Sequence, residues 1–373
     1  MSKRLWMVLI AALVLAACGA PAATPSPTAV PTTPATAEAT AQPTAAPTSE
    51  ATAQPTAAPT AEATPATSEL RQITLAMSYI PNIQFAPYYV AAAKGYYAEA
   101  GLEVIFDYNF ENDVVTRVGA WPESKVEFAT ASGTSTLLAR QSGLPVKTVM
   151  TLYQQFPVVF FAKSTTGLQS VQDLKGKTVG IPGRFGESLY ALMAILYANQ
   201  LDESVMTVQE IGFTQAQSVL EDNVQVGIGY GMNEPVLLRQ QGVEVDVLRV
   251  ADVYDLASNG IVVSEALIEQ DPELVRAFML ASLRGLADTL ADPDAAFTLS
   301  LNYIPEAQLG DVELQRQVLT ESLPYWTSAQ TETEGLGFTN LETWVKTEEF
   351  MRAANLLTQP VEVSSAFTNE FIK

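Results

Sequence analysis

The chain has 373 residues, long enough for two lobes that each bury a core. Its 20 Lys and Arg against 41 Asp and Glu give a formal net charge of −21, which disfavours nucleic acids and anionic ligands as partners. The sequence has no histidine and one cysteine, Cys18, which excludes His-dependent catalysis, an intrachain disulfide and a Cys-rich metal site, so a binding protein is expected rather than an enzyme.

The first 17 residues have the pattern of an export signal. Lys3 and Arg4 precede an apolar run at 5–17, which is too short to span a bilayer. The run ends in Leu-Ala-Ala-Cys-Gly, which resembles a bacterial lipobox, so we expect cleavage before Cys18 and lipidation of its thiol. An ordinary signal peptide with a chance cysteine is the alternative. The pattern predicts a lipid anchor on the extracytoplasmic side of the cell membrane.

Residues 18–69 are predicted to form the lipidated cysteine followed by a disordered tether. This segment is composed almost wholly of Ala, Thr, Pro and Ser, and the sequence EATAQPTAAPT occurs in it twice, at 38–48 and at 50–60. Because it contains no aromatic residue and no periodic apolar face, nothing offsets the entropic cost of ordering it. A proline-stiffened tether would let a folded domain move away from a membrane anchor.

Strand and helix patterns alternate after residue 70 and predict an α/β fold in two parts. The spacing in each part indicates an open parallel sheet. The first part has β-rich runs at 73–77, 102–107, 126–129, 146–152 and 158–162, with helical stretches at 87–94 and 135–141. The second part has β-rich runs at 178–181, 208–211, 224–228 and 245–250, with helical stretches at 187–198, 216–221 and 234–242.

One more strand, at 260–264, precedes a C-terminal region that is almost wholly helical from Pro272 onward. These helices have no sheet of their own, so we expect them to pack on the first lobe. The chain would then cross between the lobes twice, which predicts a hinged clamshell with lobe 1 at about 70–160 and 258–373 and lobe 2 at about 163–255. A deep cleft between facing sheet edges is the expected binding site.

Three segments of the globular part resemble a known family. They are YIPNIQFAPYYVAAAKGYY at 79–97 with AGLEV at 100–104, DLKGKTVGIP at 173–182, and GMNEP at 231–235. They resemble the NMT1/THI5-like solute-binding proteins, which are extracytoplasmic receptors of bacterial ABC importers. The resemblance covers about 70–350. It implies a solute-binding domain at 70–373 with the type II periplasmic-binding-protein-like clamshell, and an importer permease with its ATPase as partners.

The same resemblance bears on activity and ligand. Eukaryotic relatives in the family make a thiamine pyrimidine with a histidine and a Cys-rich motif, and this chain has no histidine. The resemblance therefore favours a binding protein. The stretch DYNFENDVV at 107–115 is similar to riboflavin receptors, with receptors for thiamine pyrimidine precursors as the next match.

Candidate ligand contacts lie in the loops that follow the predicted strands. Amide side chains suit an imide or pyrimidine edge, and aromatic rings can stack on a planar ligand. Each also has a structural explanation, such as a core aromatic, a turn residue or a carboxylate at a helix start. The candidates are Tyr79, Asn82, Phe85, Ser132, Gly133, Thr134 and Gln155, and, in the second lobe, Arg184, Phe185, Glu187, Tyr230, Asn233 and Glu234.

Together these patterns predict capture of an uncharged planar ligand by closure of the lobes, with no bound cofactor. Riboflavin fits the supply of aromatic, amide and hydroxyl side chains. A hydroxymethylpyrimidine or formylaminopyrimidine precursor of thiamine is the alternative ligand. A lipid-anchored sensory protein with no transport partner is the alternative from another functional class.

Overall fold

The computed structural model describes residues 69–373. The predicted signal peptide, Cys18 and all of the predicted tether except Glu69 lie outside the described residues. Within 69–373, no helix combines the length and the apolar character needed to cross a membrane.

The described strands form two five-stranded sheets, and helices connect most strands that follow each other within one sheet. The strands are β1 (Arg71–Met77), β2 (Leu102–Tyr108), β3 (Phe128–Ala131), β4 (Val146–Thr151), β5 (Val158–Lys163), β6 (Thr178–Ile181), β7 (Thr207–Glu210), β8 (Val226–Tyr230), β9 (Val245–Arg249) and β10 (Gly260–Ser264).

Several helices start at capping residues that the sequence supplies. Ser132 accepts a hydrogen bond from the backbone N–H of Ser135, and Asp271 accepts one from Leu274 just before a proline. The helices are α1 (Ala86–Ala93), α2 (Tyr96–Glu99), α3 (Glu111–Gly119), α4 (Gly133–Gln141), α5 (Gly186–Ala198), α6 (Gln215–Leu220), α7 (Glu234–Gln240), α8 (Glu265–Gln270), α9 (Pro272–Ala291), α10 (Pro293–Ser300), α11 (Glu306–Leu309), α12 (Val312–Ser322), α13 (Ala329–Glu334), α14 (Leu341–Ala353) and α15 (Val363–Ala366).

The two sheets share one topology. Their strand orders are β2-β1-β3-β10-β4 and β7-β6-β8-β5-β9. In the first sheet β10 runs antiparallel to both of its neighbours, β3 and β4, and in the second β5 runs antiparallel to β8 and β9. Each sheet therefore has four parallel strands and one inserted strand of opposite direction.

The prediction of purely parallel sheets is wrong for the inserted strands, and the path of the chain explains why. The chain leaves β4 at its carboxyl end, crosses at 152–157 and enters the second sheet as β5. It returns from β9 at 250–259 and enters the first sheet as β10. A strand that enters a sheet from the carboxyl edge must run against the others. β5 thus belongs to the second lobe, so lobe 1 ends before Val158 and not near 160.

The C-terminal helix α14 packs on the second lobe as well as the first. Its Trp344, Phe350 and Met351 belong to the same buried cluster as Phe160 of β5, and Phe350 lies 5.6 Å from the ring of Tyr197 in α5. The helix also contacts α4 of the first lobe. The expectation that every C-terminal helix packs on lobe 1 is corrected here, because α14 carries an apolar face that covers the second crossing.

Two hydrogen bonds tie α14 to that crossing. The backbone N–H of Ala257 donates to Thr347 Oγ1 at 2.8 Å, and the Tyr254 hydroxyl donates to the carbonyl of Lys346 at 2.8 Å. The return path between the sheets is thus fixed along one side by a helix from the end of the chain.

A close helix contact in the first lobe gives a test of the packing. A Cβ atom added at Gly285 of α9 would lie 2.1 Å from the Pro87 carbonyl oxygen of α1. Helix propensity alone predicts that Gly285→Ala stabilises the protein by about 1 kcal/mol. We expect the clash to dominate, with a loss of about 1–3 kcal/mol in urea unfolding.

The exposed Ala287→Gly in the same helix is the matched control, because it reports the propensity effect without a clash. It should lose about 1 kcal/mol. A gain in stability for Gly285→Ala would show that α1 and α9 do not approach each other as described.

Candidate functional site

A cavity of about 170 Å³ lies between the two lobes. It is at the carboxyl ends of the parallel strands of both sheets, the position where ligands of α/β sheets bind. The first lobe contributes to it Ser78, Tyr79, Gln84, Phe85, Tyr88, Glu111, Thr130, Leu152, Tyr153, Asn259 and Gly260, and the second lobe contributes Pro182, Ser188, Phe213, Gln215, Gly229, Tyr230, Asn233 and Glu234.

Aromatic rings from both lobes line the cavity and remain accessible. Tyr79 follows β1 and is 45% exposed, and Phe213 follows β7 and is 66% exposed. Phe185 packs on Phe213 edge-to-face, with ring centroids 6.4 Å apart. The half-buried Phe85 and Tyr230 and the buried Tyr88 and Tyr153 also belong to the lining. Large exposed aromatics on opposite sides of one cavity can hold a flat ring by stacking.

A chain of amide and hydroxyl groups connects the lobes across the cavity. Gln84 Nε2 donates to Asn233 Oδ1 at 2.8 Å, and the Tyr153 hydroxyl donates to Gln84 Oε1 at 3.1 Å. Asn82 caps the short helix Ile83–Phe85 and accepts from the backbone N–H of Gln84 at 3.0 Å. Asn82 therefore holds Gln84 in place and does not itself line the cavity.

The hydroxyl of Tyr88 is an unsatisfied polar group in the cavity wall. Its side chain is 1% exposed, and the hydroxyl has no hydrogen-bond partner in the structure. Buried hydroxyl groups are nearly always paired, because an unpaired one costs about 1–3 kcal/mol. Since Tyr88 lines the cavity, a polar atom of a bound molecule can supply the missing partner.

Glu234, the first residue of α7, packs against the end of β8, where Gly229 makes room for its side chain. A Cβ added at Gly229 would be 2.4 Å from Glu234 Oε2, and that oxygen accepts from the backbone N–H of Tyr230 at 2.9 Å. Burial raises the pKa of Glu234 to about 7. Near neutral pH this carboxyl group can therefore accept or donate a hydrogen bond to a ligand.

A second group of polar contacts joins the helix starts of α3, α4 and α5. Ser132 Oγ lies 2.6 Å from Glu111 Oε1 and 2.9 Å from Glu187 Oε1, and the Thr134 hydroxyl donates to Glu187 Oε1 at 2.6 Å. Glu187 belongs to the second lobe and the other three residues to the first. This cluster therefore links the lobes beside the cavity.

The hydroxyl groups of this cluster have too few hydrogens to donate every short contact among its oxygens. Ser132 has a single hydroxyl hydrogen, so its short contacts to Glu111 and Glu187 cannot both be donated by Ser132. Burial, followed by the negative charge of Glu111, raises the pKa of Glu187 to about 8. The geometry and the shift agree on a protonated Glu187 that donates to Ser132.

A protonated Glu187 makes stability fall as pH rises. The folded chain keeps this proton up to about pH 8, whereas the unfolded chain loses it near the ordinary value of 4.5. By linkage, each proton that only the folded chain retains lowers the free energy of unfolding by about 1.4 kcal/mol per pH unit. We expect Glu187→Gln to reduce this fall between about pH 5 and pH 8, and the slope that remains to lie mainly below about pH 7, where Glu234 also retains a proton. Urea unfolding at a series of pH values measures it.

Glu269→Gln is the control, since Glu269 is exposed and does not line the cavity. It should keep the slope of the unmodified chain. An unchanged slope in Glu187→Gln would contradict the protonated state assigned to Glu187.

The structure brings some of the sequence-predicted residues to the cavity and places the others around it. Tyr79, Phe85, Tyr230, Asn233 and Glu234 line it. Ser132, Thr134 and Glu187 bind one another beside it, and Gly133, whose added Cβ would lie 2.4 Å from Ala257, packs on the second crossing.

The remaining predicted residues lie outside the lining. The exposed Arg184 pairs with Glu203 at 2.8 Å, Phe185 reaches the lining only through Phe213, and Gln155 accepts a hydrogen bond from Arg249.

Several lining residues were not among the candidates. Tyr88 and Tyr153 look like core aromatics in the sequence, and only the fold shows that they border a cavity. Phe213 and Glu111 follow strands, as the chosen candidates do, so the same rule applied to the ends of β7 and β2 points to them. Among the residues that the structure describes, no group of three His, Cys, Asp or Glu is placed to hold a metal ion.

The pattern of the NMT1/THI5 like family matches residues 82–296 of this chain. The riboflavin-binding protein RibY of Chloroflexus aurantiacus is 70% identical over 82% of this chain and 88% of RibY. A 4-amino-5-hydroxymethyl-2-methylpyrimidine phosphate synthase of Legionella pneumophila is 26% identical over 82% of this chain and 94% of the synthase. A formylaminopyrimidine-binding protein of Halalkalibacterium halodurans is 26% identical over 80% of this chain and 90% of that protein.

Solved structures share the fold. A putative periplasmic sulfonate-binding protein, SsuA, of Methylobacillus flagellatus superposes with a TM-score of 0.62 and 14% identity, covering 82% of this chain and 93% of that one. At this identity the similarity concerns the fold alone. It confirms the predicted α/β clamshell of the periplasmic-binding-protein-like type.

Proposed function

Because this chain belongs to the NMT1/THI5-like family, we propose that it is the solute-binding protein of an ABC importer and that it binds riboflavin between its lobes. The observation that carries the proposal is a cavity whose two sides present accessible aromatic rings and whose wall presents amide, hydroxyl and carboxyl groups. A relative of 70% identity that is named a riboflavin-binding protein supports this ligand.

The lining matches the two chemical parts of riboflavin. The flat ring system stacks on Tyr79 and Phe213, which come from opposite lobes. The imide edge of the ring pairs with side chains that both donate and accept, such as Gln84 and Asn233. The hydroxyl-bearing chain needs partners of the kind that Tyr88, Ser188 and Gln215 provide.

Capture works by closure of the lobes over the ligand. The described state already has direct contacts between lobes, from Gln84 to Asn233 and from Thr134 to Glu187. A ligand that touches both lobes binds this state more tightly than an open one, so it shifts the population toward closure. The closed surface is then the form that a permease recognises, and its ATPase drives release.

Binding without chemical conversion is the activity that the residues favour. Some family relatives are named as synthases, but this sequence has no histidine to act as a base. The cavity wall contains no cysteine or lysine, and its Ser78 and Ser188 have no histidine to activate them as nucleophiles. The ligand therefore leaves the protein as it entered.

The predicted lipid on Cys18 completes the proposal. A diacylglycerol at Cys18 would hold the protein at the outer face of the cell membrane, and the Ala/Thr/Pro segment would give the binding domain reach toward its permease. Mass spectrometry of the purified protein checks this part, since a mature chain that starts at an unmodified residue other than Cys18 would contradict it.

Riboflavin binding is tested by the quenching of flavin fluorescence when the purified protein is added. We expect saturable quenching, and we expect Tyr79→Ala to weaken the affinity about 2- to 13-fold, which corresponds to the loss of about 0.5–1.5 kcal/mol of stacking. Arg184→Ala is the control, because Arg184 is exposed and lies outside the cavity.

Two outcomes would overturn the ligand assignment. Absence of quenching together with tight binding of an aminopyrimidine would identify the pyrimidine precursor as the ligand. An equal loss of affinity in Tyr79→Ala and Arg184→Ala would show that riboflavin binds outside the cavity.

A further inference from the structure

The cavity wall carries acidic side chains and no basic ones. Among the lining residues, Glu111 comes from α3 and Glu234 from α7, and none is lysine or arginine. The arginines that the sequence places near the cleft are engaged elsewhere, since Arg184 pairs with Glu203 on the surface and Arg249 donates to Gln155. A negatively charged group inside this cavity would meet no cationic partner.

The acidic groups are built into the wall and cannot turn away freely. Glu234 fills the space that Gly229 leaves open, and its Oε2 is held by the backbone N–H of Tyr230 at 2.9 Å. Glu111 Oε1 accepts from the backbone N–H of Ser132 at 2.7 Å and lies 2.6 Å from its hydroxyl. Both side chains are thus fixed by backbone N–H donors, Glu111 by Ser132 just before α4 and Glu234 by Tyr230 at the end of β8.

Two unfavourable free-energy terms oppose the binding of an anionic ligand in such a site. The ligand loses its hydration, which for an unpaired charge costs several kcal/mol, and it faces acidic side chains in a region of reduced dielectric constant. A phosphate monoester carries a charge of about −1.5 to −2 near neutral pH. A neutral ligand with O–H and N–H donors has neither penalty and can donate to the same carboxyl groups.

We propose that the cavity accepts the unphosphorylated form of its ligand and rejects the phosphate monoester, and that Glu234 is a residue that sets this specificity. The inference rests on the proposed function, since it names the chemical class of the ligand for the same site. Glu234 and Gly229 set the specificity together, because only a residue without a Cβ at position 229 leaves space for the Glu234 carboxyl group in the cavity wall.

The experiment compares three flavins at about pH 8, which is above the pKa of Glu234. They are riboflavin, riboflavin monophosphate, and riboflavin with an uncharged acetate ester on the same hydroxyl. The acetate ester adds bulk without charge, so it separates steric from electrostatic rejection. We expect the monophosphate to bind at least about 100-fold more weakly than riboflavin, and the acetate ester to bind within about tenfold of it.

Glu234→Gln tests the assigned residue. In this variant the ratio of the riboflavin affinity to the monophosphate affinity should fall by about tenfold. At about pH 8, one unit above its pKa, the Glu234 carboxylate must take up a proton before an anion can bind beside it, and this uptake weakens binding by about tenfold. Glutamine at this position needs no proton. Glu269→Gln removes the same charge from an exposed position on α8 and should leave the ratio unchanged.

Three results would overturn the inference: similar binding of riboflavin and its monophosphate, rejection of the acetate ester as strong as that of the monophosphate, or an unchanged ratio in Glu234→Gln. Failure of the proposed function is distinct, because riboflavin itself would then not bind. In that event the same comparison is made with a hydroxymethylpyrimidine and its phosphate monoester, and tighter binding of the phosphate would overturn the inference.

Discussion

The direction in which the chain enters each sheet is the constraint on which the rest of the structure depends. Both crossings start at the carboxyl end of a parallel strand and lead into a strand, β5 or β10, that runs the opposite way between two parallel neighbours. The crossings must therefore lie along the carboxyl edges. The two sheets in consequence present those edges to each other, and the loops that follow the strands meet in one cavity.

Contacts between the lobes depend on this arrangement, because the carboxyl and hydroxyl groups that make them lie at the facing edges. Helices α3, α4 and α5 all begin at the facing edges, and their first residues supply Glu111, Ser132 and Glu187. Carboxyl groups are favourable at helix starts, but here two of them approach one serine. The pair is compatible with close packing only when one carboxyl group is neutral. Contact between the lobes is thus coupled to the binding of a proton by Glu187.

Much of the fold could be predicted from the sequence, because it follows from local patterns. The run at 73–77 lies within β1, and 178–181 and 260–264 coincide with β6 and β10. Strand direction could not be predicted in the same way. The residues of β5 and β10 are as apolar as those of their parallel neighbours, and only the path of the chain determines their orientation. The position of α14 on both lobes has a similar origin, since an apolar helix face does not specify its partner.

The site was predictable where a side chain follows a strand, as Tyr79 and Glu234 do. It was not predictable where the deciding interaction crosses between lobes. Ser132 and Glu187 are predicted ligand contacts on separate lobes, and their contact with each other could not be read from the sequence. Tyr88 lies in the middle of a buried helix, and nothing in its local sequence distinguishes it from a core residue.

The attachment of α14 limits how the clamshell can open. The connection at 152–157 is held by backbone hydrogen bonds from Leu152 and Tyr153 to the carbonyl of Asn259. The other connection is held along α14 by Thr347 and by the carbonyl of Lys346. Rotation of one lobe against the other must either carry this helix along with the second crossing or break its contacts with α4. Helix α14 therefore works as a brace whose contacts with one of the two lobes are lost when the lobes separate.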